Sequence, residues 1–547
     1  GFAPKADSST SITLQADSAQ NVVDLYYTRN RYTLSFNLGD GVNLDDGCAP
    51  NGGSIYYGAE ISTDMTNAKR TGYTFVGWYE DEAYQTEWSG TTMPARDLTL
   101  YAKWDVMTYF LRFDWDGNVP LRDWLLENGG KLLTAAYDEE NGVYSNANDH
   151  GIPYIDVSVA YDQVFTLPTG IPGAEYFGYY KEEQNEYGSY ESLVKSESLT
   201  KMAEEQDAIV KVGVQWKSEP DNNGTEQLYN ANDFLTKVVQ DSAYEAASYA
   251  LGVDLDLCNV NMKYNGDIVD GITFDGNNHT IFNVKRGEMI ANCAAGSIYG
   301  YGDSVTVKNL TIDGMTVDYT AAVDSFSNEY HAFGALAGFV GDGFNAENVT
   351  VTHVTMNLNL LGEKGNAYNS AHLLPAECIG GLVGYAKGSV TLTGCNVEDL
   401  TVNVTDKNDS GGTQFLIGGL IGYADALYTQ IPGENEYSSS NDYNGNGSVT
   451  ITGCTVLDMT VDKNGATGAS VGGFLGGIGK HIVSKTGATY SVTTTIDEVS
   501  AFPEGFESIG KELTINDSTG SNSTAQSLDA IPAAAFEGES DEENTAA

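Results

Sequence analysis

Positive charge is scarce in this 547-residue chain, where 27 Lys and Arg stand against 76 Asp and Glu for a formal charge of −49. The deficit is spread along the whole length: residues 1–225 hold 35 acids and 15 bases, residues 226–547 hold 41 acids and 12 bases. A surface without a basic patch has no means of releasing counterions from phosphates, which argues against nucleic acid and anionic membranes as partners. Cysteine is also sparse. Six residues, at 48, 258, 293, 378, 395 and 454, with no CxxC pair, argue against both a disulfide-stapled framework and a structural zinc site. No stretch approaches the roughly 20 apolar residues of a membrane helix. The chain opens GFAPKADSSTS, without a basic start and apolar run, and ends without a sorting motif or anchor; if the protein is exported, both ends of the parent are expected to lie outside this sequence. Also missing are HExxH, G-x-S-x-G, a Walker loop, a Rossmann fingerprint and the EF-hand spacing.

What the chain does have points to strands. Apolar residues make up 41%, enough for real cores, and 34 Tyr with 62 Gly suit sheets and sharp turns better than helices. The length exceeds what one core usually serves, so two to four domains are expected.

In the first half one strand order occurs twice. RYTLSFNL (31–38) alternates Tyr32, Leu34 and Phe36; TGYTFVGWYED (71–81) and MPARDLTLYAKWD (93–105) follow. TYFLRFDWDG (from 108), AEYFGYY (174–180) and KMAEEQDAIVKVGVQW (201–216) repeat that order in degraded form. The insertion between Trp115 and Gly173 contains WLLENGGKLLTAAY, which suits a short helix or two. Trp78, Trp88 and Trp104 occupy alternating or turn-flanking positions, as core residues do, with sugar stacking as the alternative. GYTFVGWYED…MPARDLTLYAKW resembles the Listeria–Bacteroides repeat, the B-repeat of internalin-type surface proteins. DLYYTRNRYTLSFN (24–37) looks like a junction between copies. The resemblance implies small β-grasp-like stalk modules without a catalytic centre, at 30–105 and, with insertion, at 106–217; residues 1–29 would end a preceding copy or form a linker.

After the polar junction KSEPDNNGTE (217–226), Phe234, Leu235, Val238 and Val239 fall at helical spacing, with Asn232 available as cap. Such a helix would cover the open end of a strand stack. Beyond it DSVTVKNLTI (303–312), ENVTVTHVTM (347–356), GSVTLTGCNV (388–397) and GSVTITGCTV (447–456) superimpose. One column then reads Leu310, Val354, Cys395 and Cys454, and His353 falls opposite Gly394 and Gly453. IGGLVGYA (379–386) and IGGLIGYA (417–424) precede two of these segments. Short strands, Thr/Asn-rich turns and no crossover helices predict a stack of coils with one continuous core. In that column a buried thiol fits an apolar site, and a disulfide is the alternative if Cys395 and Cys454 lie in adjacent coils. The acidic stretch 425–447 reads as a protrusion. VDGITFDGNNHTIFNV (269–284) and the GGLVGY/GGLIGY strings resemble GLUG-type modules, which implies a right-handed, pectate-lyase-like parallel β-helix over 218–517; a Ser/Ala/Glu-rich tail (518–547) follows.

That fold also hosts polysaccharide-active enzymes. A lyase needs cations at a uronate, yet residues 226–547 contain one Arg, Arg286, and eleven Lys. A hydrolase needs paired carboxylates, for which Asp313, Glu398, Asp399 and Asp458 are candidates. His279 reads as a bend-stabilising residue rather than a base. The chain is therefore expected to be mainly β and without catalytic residues or a cofactor, with acidic loops leaving room for structural Ca²⁺. It is expected to be an extracellular or cell-surface segment that meets a glycan, a host or bacterial surface protein, or copies of itself. A β-helical glycoside hydrolase is the alternative.

Overall fold

A computed structural model describes the chain apart from residues 7–12, 45–49, 51, 65–67, 175–177, 185–189, 194–197, 218–219, 222–223, 241–247, 261–270, 287–292, 296–302, 321–330, 361–376, 407–414, 431–440, 465, 467, 484–487, 498, 518–527 and 530–547. Cys48, the middle of 425–447 and nearly all of the tail thus lie outside the described residues. Of the described residues 56% are strand and 5% helix, a mainly β fold. Two compact units divide it: residues 1–113, 156–167 and 181–212, and residues 114–155, 168–180 and 213–547.

In the first unit, strand Arg31–Asn37 runs parallel to Leu98–Val106, with Gly53–Tyr56 antiparallel outside the former and Tyr73–Tyr79 outside the latter. Alternation puts Leu34, Trp78, Leu98, Leu100 and Ala102 inside with Ile61 and Met93, and Trp88 and Trp104 pack against them. Trp78 Nε1 donates to Thr63 O and Trp104 Nε1 to Leu38 O, both at 3.0 Å, so these indoles are fastened in the core. The later strands keep the same lateral order: Ile155–Ala160, Thr108–Phe113, Ile209–Val214, Tyr179–Gln184, with Thr108–Phe113 parallel to Ile209–Val214.

The second unit is a ladder of parallel strands. Thr306, Asn345, Thr391 and Thr450 lie side by side, so successive coils take 39, 46 and 59 residues (345 − 306, 391 − 345, 450 − 391). Inward columns are Val307, Ala346, Leu392 and Ile451, then Ile312, Val351, Val397 and Val456, every member at most 1% exposed.

The register shifts 347–356 by five residues in the sequence superposition, so its members change in every column and His353 falls opposite Asp399 and Asp458 rather than Gly394 and Gly453. Leu310 pairs with Val349, not Val354, and the same column continues through Cys395 and Cys454. The physical reason is that each coil bends twice, five residues apart. Asn309, Asn348, Gly394 and Gly453 form the first left-handed bend (φ 52°, 53°, 62°, 63°), and Gly314, His353, Asp399 and Asp458 the second (φ 81°, 52°, 52°, 53°). Sliding 347–356 by five residues lays one bend on the other without disturbing the apolar alternation. In the reduced protein Cys454→Val should cost less than about 1.5 kcal/mol in urea unfolding, because volume is nearly conserved. Cys454→Asp should abolish cooperative folding, because its carboxylate would be buried without a counterion.

The glycine strings form a further set of columns: Gly334, Gly380, Gly418, Gly472, and Phe339, Tyr385, Tyr423, Gly477. A Cβ on Gly380, Gly418 or Gly472 would overlap the carbonyl oxygen three residues on, that of Val383, Ile421 or Leu475. Only glycine permits that approach.

The 115–173 insertion holds one helix, Val119–Glu127, and then strands Gly130–Leu132 and Ala136–Asp138. Asn118 caps the helix, accepting from Leu121 N at 2.9 Å, and its amide donates to Tyr229 O at 2.9 Å. Around it Ala231 N donates to Asp116 O, Asp256 N to Gly117 O and Val119 N to Asp254 O, and Arg122 pairs with Asp256. The insertion thereby lies on the first coil of the ladder. The helix expected after 226 is short: Ala231–Phe234, continuing as a π-helical turn over Leu235–Gln240. Its cap is Asn230, which accepts from Asp233 N at 2.8 Å, rather than Asn232, whose Oδ1 lies 2.6 Å from His150 Nε2.

Asp116 is buried in this contact, and burial pushes its carboxyl up to about 7 despite bonds from Asn232 N and the Asn148 amide, with Asp233 adding repulsion. The folded state holds this proton more tightly than the unfolded chain. The associated stability is therefore complete below about pH 4 and lost as pH rises to about 7. Asp116→Asn should flatten that decline and raise stability at pH 8 by on the order of 2–4 kcal/mol, as read from melts across pH.

Candidate binding face

Nearly all inward side chains of the ladder are apolar, so most of its accessible chemistry is on the alternating outward positions. One outward column is Thr311, Thr350, Asn396 and Thr455; another is Thr316, Thr355, Thr401 and Thr460; a third is Asp318, Asn357, Asn403 and Asp462. All are at least partly exposed. Bonds run from coil to coil: Thr455 Oγ1 to Asn396 Oδ1 at 2.6 Å, Asn357 Nδ2 to Asp318 Oδ1 and Asn403 Nδ2 to Asn357 Oδ1 at 2.8 Å each. The columns repeat at the strand spacing of about 4.8 Å. Beyond the second bend, Thr355, Asn357, Thr401 and Asn403 form an uncharged strip in a strongly acidic protein.

The candidate acids line one edge of this strip on two columns. Asp313 and Glu398 share an outward column with Thr352 between them, while Asp399 and Asp458 are neighbours at the second bend. His353 Nδ1 lies 2.8 Å from Asp313 Oδ1, and that hydrogen bond first, then the Asp313 charge, raises the imidazole's pKa above its ordinary value. His279 Nδ1 is 3.0 Å from Asp254 Oδ1, which also accepts from Thr280 N at 2.8 Å, so this pair pins a bend to the preceding coil. Asp275 accepts from Asn309 at 3.1 Å, and Asn309 accepts from Asn348 at 3.2 Å, continuing the bracing along the first bend.

Arg286, the one Arg of residues 226–547, is 1% exposed and in register with the inward Val317, where burial depresses its pKa to about 9. It lies away from the outer surface that a polyanion would meet. Sequence reasoning missed this placement, and it also missed the buried Lys387 and Asp425. Their signal was legible: GLVGYAK and GLIGYAD align Lys387 with Asp425, and Tyr385 donates to Asp425 Oδ2 at 3.0 Å. Among the described residues no three His, Cys, Asp or Glu side chains gather as metal ligands, and no helix is long and apolar enough to cross a membrane.

Residues 32–103 match the Listeria–Bacteroides repeat domain. Internalin H of Listeria monocytogenes is 41% identical over 102 residues, 16% of this chain and 19% of its own. Two predicted membrane proteins of Evansella cellulosilytica, one of them Gly-rich, are 30% identical over 114 residues (21% of this chain, 16% of theirs) and 34% over 89 residues (16% and 10%). The matches thus span no more than 19% of these relatives' lengths. No solved structure matches. A repeat module of the surface-protein type is therefore present.

Proposed function

We propose that the chain is a structural and adhesive segment of a bacterial cell-surface protein, in which Listeria–Bacteroides repeat modules at 30–105 and 106–217 present a β-helix at 218–517. Residues 1–29 end a preceding copy, and 518–547 are a tail. The ladder is a right-handed parallel coil of GLUG type; support comes from its parallel register and the strong right-handed bias of parallel crossovers. The repeat match at 32–103 carries the surface-protein reading. The shared lateral order of strands in the two modules supports counting them as copies.

The outward strip is the adhesive face, and its chemistry suits a neutral glycan. Hydroxyls and amides at regular spacing offer both donors and acceptors to sugar hydroxyls, while the surrounding acids repel polyanions. Thr401→Lys with Asn403→Lys should weaken binding of the full chain to immobilised neutral polysaccharides at least tenfold without changing its melting temperature. Unchanged binding, or binding to none of the glycans, would remove the strip from consideration.

A glycoside hydrolase is the second reading, favoured by one observation: Asp399 and Asp458 occupy adjacent coils, about 4.8 Å apart along the stack. Against it, both are exposed at bends, whereas an acid catalyst needs an environment that keeps it protonated. Sustained turnover of a polysaccharide, lost in Asp399→Asn, would establish the enzyme and overturn the adhesive reading.

A further inference from the structure

Cys395 and Cys454 are fully buried free thiols, 59 residues apart in sequence (454 − 395) and side by side in adjacent coils. Cys395 N donates to Cys454 Sγ at 3.4 Å, so the Cys454 sulfur is turned toward the neighbouring rung. Cys395 Sγ also contacts the carbonyls of Ala346 (3.4 Å) and Thr393 (3.6 Å), and Cys454 Sγ that of Thr452 (3.5 Å). The other described cysteines with defined surroundings, Cys258 and Cys378, lie on different parts of the coil.

We propose that Cys395 and Cys454 are a covalent cross-linking site, closing as a disulfide between neighbouring coils in an oxidising compartment. In-register residues of parallel neighbours have Cα atoms about 4.8 Å apart, inside the span of about 4.4–6.8 Å that a disulfide bridges. Both side chains belong to an inward column otherwise held by Leu310 and Val349, so an apolar S–S group suits the site as well as two thiols do. In the reaction each residue loses its S–H bond and one Sγ–Sγ bond forms. Two electrons and two protons pass to a disulfide oxidant such as glutathione disulfide, which leaves as two thiols. Because both sulfurs are buried, closure takes place during folding, and the finished cross-link resists external reductant until the coil opens.

The position gives the bond a function. The coil it closes is the longest of those in register, and it bears the antiparallel pair Leu427–Gln430 and Asn441–Gly445. The cross-link fastens this longest coil to its neighbour at the rung where its two ends come into register.

The test uses the full chain with a site-specific protease sequence inserted after Glu436, folded in a glutathione redox buffer and then cleaved. On a denaturing gel the two fragments should stay joined until reductant is added, and Cys454→Val should separate them without it. Peptide mapping of the uncut, unreduced wild type, which does not depend on the variant folding, should recover Cys395 linked to Cys454. Fragments that separate without reductant, or a map showing both thiols free or joined to other cysteines, would overturn the proposal.

Discussion

Deleting residues 1–217 should leave 218–547 aggregated or unfolded, while the full chain remains monomeric. The inserted segment supplies partners that the first coil cannot replace: Asp116 O for Ala231 N, Gly117 O for Asp256 N, the Asn118 amide for Tyr229 O and Arg122 for Asp256. Removing them exposes a strand edge and strands buried polar groups at about 1–3 kcal/mol each. Four such losses sum to about 4–12 kcal/mol, comparable to the roughly 5–15 kcal/mol that holds an ordinary domain together. Size-exclusion chromatography and circular dichroism decide it; a soluble monomer melting within a few degrees of the full chain would refute the capping role. The single-residue version, Asn118→Ala, should cost about 2–4 kcal/mol, since it removes a helix cap and leaves Tyr229 O unpaired.

Gly418→Ala should be among the most damaging one-methyl changes in the ladder, with a loss above about 4 kcal/mol in urea unfolding. Its Cβ would overlap the Ile421 carbonyl oxygen and approach Gly476 N (2.6 Å) and Phe474 O (2.7 Å), all of them backbone atoms that cannot swing aside. Gly453 provides the contrast. It sits at φ 63° with nothing within 4 Å of an added Cβ, so Gly453→Ala meets only the left-handed penalty of about 1–2 kcal/mol. Gly453→Asn should be nearly neutral, because Asn309 and Asn348 already occupy that bend in earlier coils. Equal losses for Gly418→Ala and Gly453→Ala would show that backbone conformation, rather than close approach, is what the glycine columns supply.

The alternation of Tyr32, Leu34 and Phe36, and the recurring GGLVGY and VT strings, made the strand content legible because inward positions are held almost entirely by apolar side chains. Coil register was less legible. Two bends five residues apart look alike in one dimension, and only hydrogen bonding between coils distinguishes Val349 from Val354. The helix after 226 was readable from Phe234, Leu235 and Val238, but not its cap, since Asn230 and Asn232 are equally good acceptors until the helix geometry is known. The role of the insertion was hidden for a different reason. Asp116, Gly117 and Asn118 act through atoms more than a hundred residues away, and no local pattern marks such a contact. The candidate face was not legible: Thr401 and Asn403 lie in a strand, and their alignment into columns depends on the fold.

Coils of 39, 46 and 59 residues fit onto the same columns of side chains. Lengthening a connection raises its closure cost only as the logarithm of its length, roughly 0.4 kcal/mol between the shortest and longest of these. The stack and its excursions can therefore diverge at different rates: a mutation in a column is felt by two neighbouring coils, while an insertion between columns is felt by almost nothing. A lineage bearing this scaffold can change what it displays through insertions and deletions alone, and the same property makes the connection between the paired strands Leu427–Gln430 and Asn441–Gly445 a natural place to graft a foreign epitope.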